Sequence, residues 1–301
     1  MRVAAEETTS GLPTFLIIGA MKAGTTSLYH YVRQHEQVYM PKVKELDFFV
    51  EEMNWPRGIS WYQQQFAGAP KSALARGEAS TAYTKFPKYA GVPERIAAVV
   101  PGVRLIYVVR NPVTRTRSHY QHRVALGAET NPPEVAVLGN SIYTDYSRYS
   151  LQIDQYLDYF PPGQLLVITS ESLQHDRRST MSKVYEFLQV CPDFVAPGLN
   201  REYYRTADRR SYPPVVWAAR QLVKRRVPQA KRVKEMVDFA KSWRMLAGPE
   251  PTPSPGTSPR SAKQEGCFPV ALEEELAGLF RDEVARLRSH LGSDFDGWGL
   301  G

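Results

Sequence analysis

The stretch FLIIGAMKAGTTSL at residues 15–28 constrains the fold more than any other part of the chain. Its leading apolar residues predict a buried strand, and Gly19 and Gly24 bracket a short loop before a helical pattern that opens at Thr25. Glycines let a backbone come close to a ligand, and the free N–H groups and dipole of a helix N-terminus favour an anion. The stretch therefore predicts an anion-binding loop between a strand and a helix.

The side chains of this loop add donors to its N–H groups. Lys22 supplies a full positive charge, and the hydroxyls that follow it can each donate a hydrogen bond. In a nucleoside-triphosphate P-loop, G-x-x-x-x-G-K-[ST], the lysine directly follows the second glycine, whereas Lys22 comes two positions before Gly24. We expect this shorter loop to hold a smaller anion than a triphosphate; the alternative is an ordinary strand–turn–helix junction with a surface lysine. The candidate anion-binding residues are Lys22, Ala23, Gly24, Thr25, Thr26 and Ser27.

At these residues the chain resembles the phosphosulfate-binding loop of the sulfotransferases that use 3′-phosphoadenosine-5′-phosphosulfate (PAPS). The resemblance implies an enzyme that moves the sulfuryl group of PAPS in line to an acceptor and releases adenosine 3′,5′-bisphosphate. It also implies that Lys22 and the loop N–H groups stabilise the charge that builds on the leaving bisphosphate, as cations and dipoles do in phosphoryl transfer.

Short apolar runs and helical patterns alternate along the chain. Runs of β-branched and aliphatic residues predict further buried strands at 103–109 and 165–168. Helical patterns are found at 59–66, 93–100, 149–160, 179–190 and 272–291. A further helix is expected to start at Pro112, since proline is favoured in a first helical turn. The alternation indicates an α/β fold with a central parallel sheet flanked by helices and a P-loop-like phosphosulfate-binding loop.

At 301 residues, with 43% hydrophobic and 23% charged residues, the chain can bury a sizeable core as one domain. We expect that domain over residues 12–298, with a disordered tail at 1–11 and a flexible Pro- and Ser-rich loop at about 248–260. The apolar runs are too short to cross a bilayer, and the first residues lack a signal-peptide core. We therefore expect a cytoplasmic protein.

A second anion site is predicted where the strand at 103–109 ends. Arg110 lies at the carboxyl end of that strand, where α/β sheets place their ligands, and Ser118 follows about two helical turns later on the same side. An arginine fork and a neutral hydroxyl suit a phosphate, whereas we interpret Arg115 and Arg117 as a solvated basic helix face. In the PAPS-dependent sulfotransferases the matching segment holds the 3′-phosphate, which ATP lacks.

Glu45 is the leading candidate for a general base, because an attacking hydroxyl or amine must lose its proton to a positioned group. Its segment, KELDFF, resembles the E-x-x-F-F segment of the heparan sulfate sulfotransferases, which implies that Glu45 is the catalytic base; Asp47 is its local competitor. The segment SHYQH is similar to S-x-Y-Q-H of the N-sulfotransferase domains, which implies a catalytic role for His122 ahead of His119. The plainer alternatives are a solvated glutamate and a structural histidine.

Two further segments extend the resemblance. GEASTAY at 77–83 resembles a short extended segment under the cofactor, but the heparan sulfate enzymes have a lysine where this chain has Ala79. The resemblance therefore does not carry over to the acceptor contacts of those enzymes. RSAKQEGCFP at 260–269 resembles the basic loop that closes over the nucleotide end of the cofactor, which implies contacts from Arg260 and Lys263.

The net charge of +7 suits an anionic ligand, but it also suits nucleic acid or an acidic membrane surface. Two alternatives therefore stand beside the PAPS-dependent sulfotransferase. An ATP-dependent P-loop kinase is opposed by the lysine spacing and by the lack of a strand ending in a magnesium-binding aspartate. A non-enzymatic polyanion- or nucleic-acid-binding protein would use the basic segment at 224–234, which lacks the interleaved aromatic residues of single-strand binders.

The expected partner is a small-molecule, glycan or lipid acceptor that presents a hydroxyl or an amine, and nucleic acid is not expected. No metal is expected either, because no carboxylate cluster is evident, and Cys191 and Cys267 lie far apart and make no metal-binding pattern. Aromatic residues could line an acceptor site, although we favour core positions for most of them. They are Trp55, Trp61, Tyr62, Tyr83 and Tyr120.

Overall fold

The structure, a computed structural model, describes residues 11–201, 203 and 268–300. Its strands are β1 (Phe15–Gly19), β2 (Val38–Tyr39), β3 (Ala75–Ala79), β4 (Arg104–Val109) and β5 (Leu165–Thr169). Within the described residues they form one parallel sheet with the spatial order β2-β3-β1-β4-β5. The predicted central parallel sheet is confirmed.

Helices flank this sheet. They are α1 (Thr25–Val32), α2 (Gly58–Gln64), α3 (Val92–Val99), α4 (Pro112–Ala125), α5 (Pro133–Gly139), α6 (Ile142–Asp145), α7 (Tyr149–Leu157), α8 (Ser170–His175), α9 (Arg177–Leu188) and α10 (Val270–Leu291). Single 3₁₀ turns lie at Trp55–Arg57, Thr81–Thr84, Pro162–Gln164 and Gly297–Gly299. The predicted helices are present, and their ends differ from the predicted ones by at most three residues. Among the described residues no helix combines the length and apolar character that a membrane crossing requires.

Local sequence explains where these elements begin. Every residue of β1 is buried, and β4 is buried after Arg104, as expected for parallel strands covered on both faces. Helix α4 begins at Pro112, and the Asn111 side chain caps it by accepting a hydrogen bond from the Thr114 N–H at 3.1 Å. The cap fixes how the chain turns from β4 into the helix.

The strand order creates a crevice between β1 and β4. These strands are neighbours, but the chain runs from β1 toward β2 and β3 on one side and from β4 toward β5 on the other. The loops that follow β1 and β4 therefore diverge at the carboxyl edge of the sheet. Such a switch point is where open α/β sheets bind their ligands.

The structure corrects the interpretation of Arg115. This side chain is fully buried rather than solvated, because α4 packs against α6 and α10 along that face. Its Nε donates a hydrogen bond to Ser147 Oγ at 2.6 Å, and its Nη2 donates to the Tyr143 carbonyl oxygen. Arg117 is about one-third exposed and forms an ion pair with Glu273 of α10 at 2.6 Å.

Several predictions concern residues outside the described ranges. The N-terminal tail up to residue 10, the basic segment at 224–234 and the Pro- and Ser-rich loop at about 248–260 are among them. The extent of the domain over residues 12–298 stays a prediction for the same reason.

The packing of β3 against β1 predicts a matched pair of glycine substitutions. A Cβ atom on Gly77 would lie 2.4 Å from the ring of its neighbour Phe15, which is fully buried. Gly77→Ala is expected to lower the free energy of unfolding by about 1–3 kcal/mol, the usual cost of overpacking a core. Gly102→Ala is the control, because nothing lies within 4 Å of its added methyl group. Equal urea-unfolding midpoints for the two variants would contradict this packing.

Candidate active site

A cavity of about 770 Å³ opens at the carboxyl edge of the sheet. Its lining comes from the segments that follow β1, β3, β4 and β5 and from the loop around Glu45. Polar side chains predominate in this lining, and they include residues of both predicted anion sites: Lys22, Thr25, Thr26, Ser27, Arg110 and Ser118. The cavity thus brings together the two predicted anion sites, whose residues Lys22 and Ser118 are about 100 positions apart in the chain.

The loop after β1 forms an open helix N-terminus on the cavity wall. Gly24 precedes α1 with a φ of 97°, a left-handed conformation that suits glycine, and no side chain caps the helix. The first-turn N–H groups of Thr25, Thr26 and Ser27 therefore have no acceptor within the helix. The side of the loop that carries Lys22 lines the same wall. This arrangement attracts an anion by both dipole and charge.

Ala23 is placed differently from its neighbours in this loop. It is fully buried and does not contribute to the cavity lining. Its N–H donates to the Ala20 carbonyl oxygen at 3.1 Å, which closes the turn inside the loop. Its predicted contact with a ligand stays a prediction.

Arg110 connects the two predicted anion sites. It follows β4 directly, and its Nη1 donates to the Lys22 carbonyl oxygen at 3.3 Å. The turn behind it is held because the Asn111 N–H donates to Glu171 Oε1 at 3.1 Å and the Tyr149 hydroxyl donates to the Arg110 carbonyl oxygen at 2.8 Å. The guanidinium group is thereby fixed at the crevice between β1 and β4.

Ser118 lies two turns into α4 and lines the cavity. The residue is 6% exposed, and its Oγ has no hydrogen-bond partner among the described residues. A buried hydroxyl without a partner is costly and is normally satisfied by a ligand or water. This orphaned donor, together with Arg110, fits a second anionic group separate from the one at the α1 N-terminus.

Glu45 lines the cavity, with 48% of its side chain exposed. Lys44 Nζ donates to its Oε1 at 3.0 Å. Burial alone would raise the pKa of Glu45, but the charge and hydrogen bond of Lys44, the charge of Lys85 and a hydrogen bond from Thr81 together lower it. The carboxylate is therefore ionised at neutral pH and can accept a proton.

Asp47, the competing carboxylate, is not part of the cavity lining. Burial, reinforced by the charge of Glu45, raises the pKa of Asp47 to about 6 against the opposing effects of Lys85 and a Ser80 hydrogen bond. Its Oδ1 has no partner among the described residues. The structure thus separates the two candidates, since only Glu45 faces the space where an acceptor could bind.

The two histidines of α4 lie in different surroundings. His122 lines the cavity one turn beyond Ser118. His119 is buried and stacks on the Tyr146 ring at 5.7 Å, and burial followed by the charges of Arg115 and Arg123 holds its pKa far below the usual range. His119 is therefore a neutral core residue.

Sequence reasoning missed Lys85, which lines the cavity beyond β3. Burial lowers its pKa, while the charges of Glu45 and Asp47 raise it, and no ion pair within the described residues holds its ammonium group. The signal available was a lysine inside an otherwise uncharged segment, TAYTKFP, directly after a buried strand. Glu171, which supports the Arg110 turn, carried no comparable signal.

Other predicted site residues are not brought to the cavity by the described part of the chain. Arg260 and Lys263 lie outside the described residues. None of the five aromatic candidates for an acceptor site contributes to the cavity lining, and Tyr62, Tyr83 and Tyr120 are buried core residues. Within the described ranges no group of three or more His, Cys, Asp or Glu residues is placed to hold a metal ion.

Curated proteins with similar sequences include two heparan sulfate-modifying enzymes. The chain is 30% identical over 206 residues to bifunctional heparan sulfate N-deacetylase/N-sulfotransferase 2 of Bos taurus, covering 62% of this chain and 23% of that protein. It is 31% identical over 211 residues to bifunctional heparan sulfate N-deacetylase/N-sulfotransferase 3 of Homo sapiens, covering 63% of this chain and 24% of that protein. The matched region thus spans about a quarter of these relatives' length.

A solved structure and a family model agree with these matches. The crystal structure of a sulfotransferase from Alicyclobacillus acidocaldarius is similar with a TM-score of 0.64 and 25% identity, covering 95% of this chain and 98% of that one. The family model of the sulfotransferase domain matches residues 12–197, more than half of the chain. The chain therefore belongs to the sulfotransferase family, whose sulfuryl donor is PAPS.

Proposed function

We propose that this chain transfers the sulfuryl group of PAPS to a hydroxyl or amine, with Glu45 as the general base and Lys22 stabilising the leaving group. The observation that carries the proposal is the composition of one cavity. An uncapped helix N-terminus with Lys22, the pair Arg110 and Ser118, and the Glu45 carboxylate all line it. These are the groups that a donor with two separated anionic ends and a proton-bearing acceptor require.

The residues present fit PAPS in two places. The α1 N-terminus and Lys22 would hold the 5′-phosphosulfate, and Arg110 with the orphaned Ser118 hydroxyl would hold the 3′-phosphate. When bound, PAPS supplies a sulfuryl group whose bond to the 5′-phosphate oxygen breaks as the acceptor bonds to sulfur. Arg260 and Lys263 are proposed as further contacts at the nucleotide end, from the sequence alone.

The proposed chemistry divides between charge stabilisation and proton transfer. Lys22 and the first-turn N–H groups of α1 stabilise negative charge that develops on the phosphate side. Glu45 accepts the proton that the acceptor hydroxyl or amine loses, and the neighbouring charges of Lys44 and Lys85 keep its carboxylate ionised beforehand. His122 lines the same cavity and is proposed to assist at the acceptor side.

We propose a glycan as the first acceptor class to test. The relatives named above modify heparan sulfate, and their N-sulfotransferase activity uses a sugar amine. N-desulfated heparin offers both sugar amines and hydroxyls, so it serves as a probe acceptor.

Small-molecule and lipid acceptors and a cytoplasmic location stay predictions. Membership of the sulfotransferase family sets the ATP-dependent kinase alternative aside.

The two-site fit predicts how adenosine 3′,5′-bisphosphate binds. Arg110→Ala should weaken its binding by about 10- to 150-fold, the equivalent of a charge-assisted hydrogen bond. Binding of AMP, which lacks the 3′-phosphate, should change far less. Isothermal titration calorimetry measures both ligands. Arg117→Ala is the matched control, because this arginine of α4 pairs with Glu273 away from the cavity. A uniform loss for both ligands would place the 3′-phosphate elsewhere.

If Glu45 is the general base, its replacement should lower the turnover rate without weakening the binding of the bisphosphate. Glu45→Gln should reduce kcat with PAPS and N-desulfated heparin by about 10²- to 10⁴-fold, the range for general base catalysis, and leave bisphosphate binding nearly unchanged. Asp47→Asn should retain more turnover, since Asp47 does not line the cavity. Glu51→Gln is the control for a surface carboxylate of the same region. The base would have to be reassigned if Asp47→Asn proved the more damaging change.

A further inference from the structure

Glu78 is a buried carboxylate that the proposed chemistry does not use. It lies in β3, is 1% exposed and does not line the cavity. Three hydroxyl groups donate to it: Tyr83 to Oε1 at 2.5 Å, Tyr62 to Oε1 at 3.2 Å and Ser80 to Oε2 at 2.6 Å. No cation pairs with it within the described part of the chain. A buried charge satisfied only by hydroxyl donors suggests a role in orienting those donors.

The same donors hold the base loop, which we define as residues 45–48. Three N–H groups of this loop donate to the last residue of β3 and to the segment that follows it: Glu45 to the Ala79 carbonyl oxygen at 2.9 Å, Asp47 to Ser80 Oγ at 2.9 Å and Phe48 to the Tyr83 hydroxyl at 3.0 Å. Two of these three acceptors are hydroxyls that donate to Glu78. A continuous hydrogen-bonded path therefore runs from the Glu78 carboxylate to the backbone that carries Glu45.

The base loop needs such support because its backbone is strained. Glu45 has a φ of 63° and Asp47 a φ of 47°, left-handed conformations that residues with side chains rarely adopt. Conformations of this kind persist only where the surroundings hold them, and they cluster at functional sites. Without its three anchors at Ala79, Ser80 and Tyr83 the loop would relax, and the Glu45 carboxylate would leave its place at the cavity.

Proton positions link this support to the charge of Glu78. A hydroxyl carries one proton, so Ser80 and Tyr83, which each accept a backbone N–H, direct their own protons at Glu78. An ionised Glu78 accepts from both. A protonated Glu78 is a neutral and weaker acceptor, so its hydrogen bonds from both hydroxyls weaken. We infer that Glu78 is a positioning residue whose ionised form holds the base loop in place; the functional meaning rests on the proposed role of Glu45.

The surroundings of Glu78 lead us to expect that it gains or loses its proton near neutral pH. Burial raises the pKa of Glu78 to about 7, with the Ser80 and Tyr83 hydrogen bonds opposing and the Asp47 charge reinforcing the rise. Tyr156 of α7 also faces it, and burial keeps that tyrosine neutral, as it does Tyr62 and Tyr83. Above about pH 7 Glu78 is ionised and the loop is held. Below it the proton is bound and the loop loosens.

Amide hydrogen exchange tests this inference without an acceptor. Protection factors of the base-loop amides, corrected for intrinsic exchange, would be followed by mass spectrometry and NMR from about pH 5.5 to 8.5, a range that brackets the proposed titration. In the wild type we expect protection to fall at least about tenfold as the pH drops through 7. In Glu78→Gln it should be low throughout, and Ser80→Ala should reproduce the low value with the carboxylate retained. The amides of β4 serve as the internal reference.

Tyr62→Phe is the matched control. It removes one donor to Glu78 but no anchor of the loop, and the retained ring still stacks on Phe48. Because a donor to the charged form is lost, the pKa of Glu78 should rise. The exchange transition should then move to higher pH, while full protection at the alkaline end is kept. If Glu78 had only a structural role, the pH of the exchange transition would be the same in Tyr62→Phe as in the wild type.

The outcomes separate the inference from the proposed function. Wild-type protection in Glu78→Gln at pH 8, or an unmoved transition in Tyr62→Phe, would overturn the positioning role. With PAPS and N-desulfated heparin, Glu78→Gln should lower kcat about 10- to 100-fold, the effect of a small misplacement, with unchanged bisphosphate affinity. If Glu45→Gln keeps its turnover, the base assignment fails, while the exchange data still report whether Glu78 holds the loop.

Discussion

The arrangement of two adjacent parallel strands, β1 and β4, determines the rest of the site. Because the chain leaves these strands toward opposite sides of the sheet, the loops behind them open a crevice instead of closing over it. The helix N-terminus of α1 faces that crevice from one strand, and Arg110 faces it from the other. The 3.3 Å contact between the Arg110 guanidinium and the Lys22 carbonyl oxygen joins the two walls. This arrangement suits an anionic ligand through backbone geometry as much as through side-chain charge.

The cavity balances cations against carboxylates in a consistent pattern. Lys22 and Arg110 line the proposed donor side, and the Glu171 carboxylate in the same lining accepts a hydrogen bond from the Asn111 N–H. On the proposed acceptor side Glu45 forms an ion pair with Lys44, and the nearby charge of Lys85 helps to keep the carboxylate ionised. In the proposed mechanism Lys22 and Arg110 bind the anionic donor, whereas the charges of Lys44 and Lys85 keep the proposed base ionised. This division agrees with sulfuryl transfer between two bound partners.

Sequence patterns predicted the fold well, because its determinants are local. The strand–loop–helix stretch around Lys22, the Arg110 and Pro112 junction and the amphipathic helices all depend on residues close together in the chain. The burial of Arg115 could not be predicted, since it depends on Ser147 and on helices more than 20 positions away. Lys85 and Glu78 were missed for the same physical reason. Their roles arise from long-range contacts to the loop around Glu45, and a lone charged residue beside a strand does not reveal them.

Different kinds of interaction hold the two halves of the proposed site in place. The proposed donor side uses two helix starts, one uncapped and one capped, whose N–H groups are fixed by the helix backbone, although Lys22 in the loop before α1 also has a left-handed φ of 73°. The acceptor side uses a strained loop, which has no such pattern and depends on the hydroxyls of Ser80 and Tyr83. Regular structure tolerates changes in protonation, because no side-chain proton maintains it. A loop held through a buried carboxylate does not, so the inferred role of Glu78 makes the loop that carries Glu45 the part of the site that we expect to respond to pH.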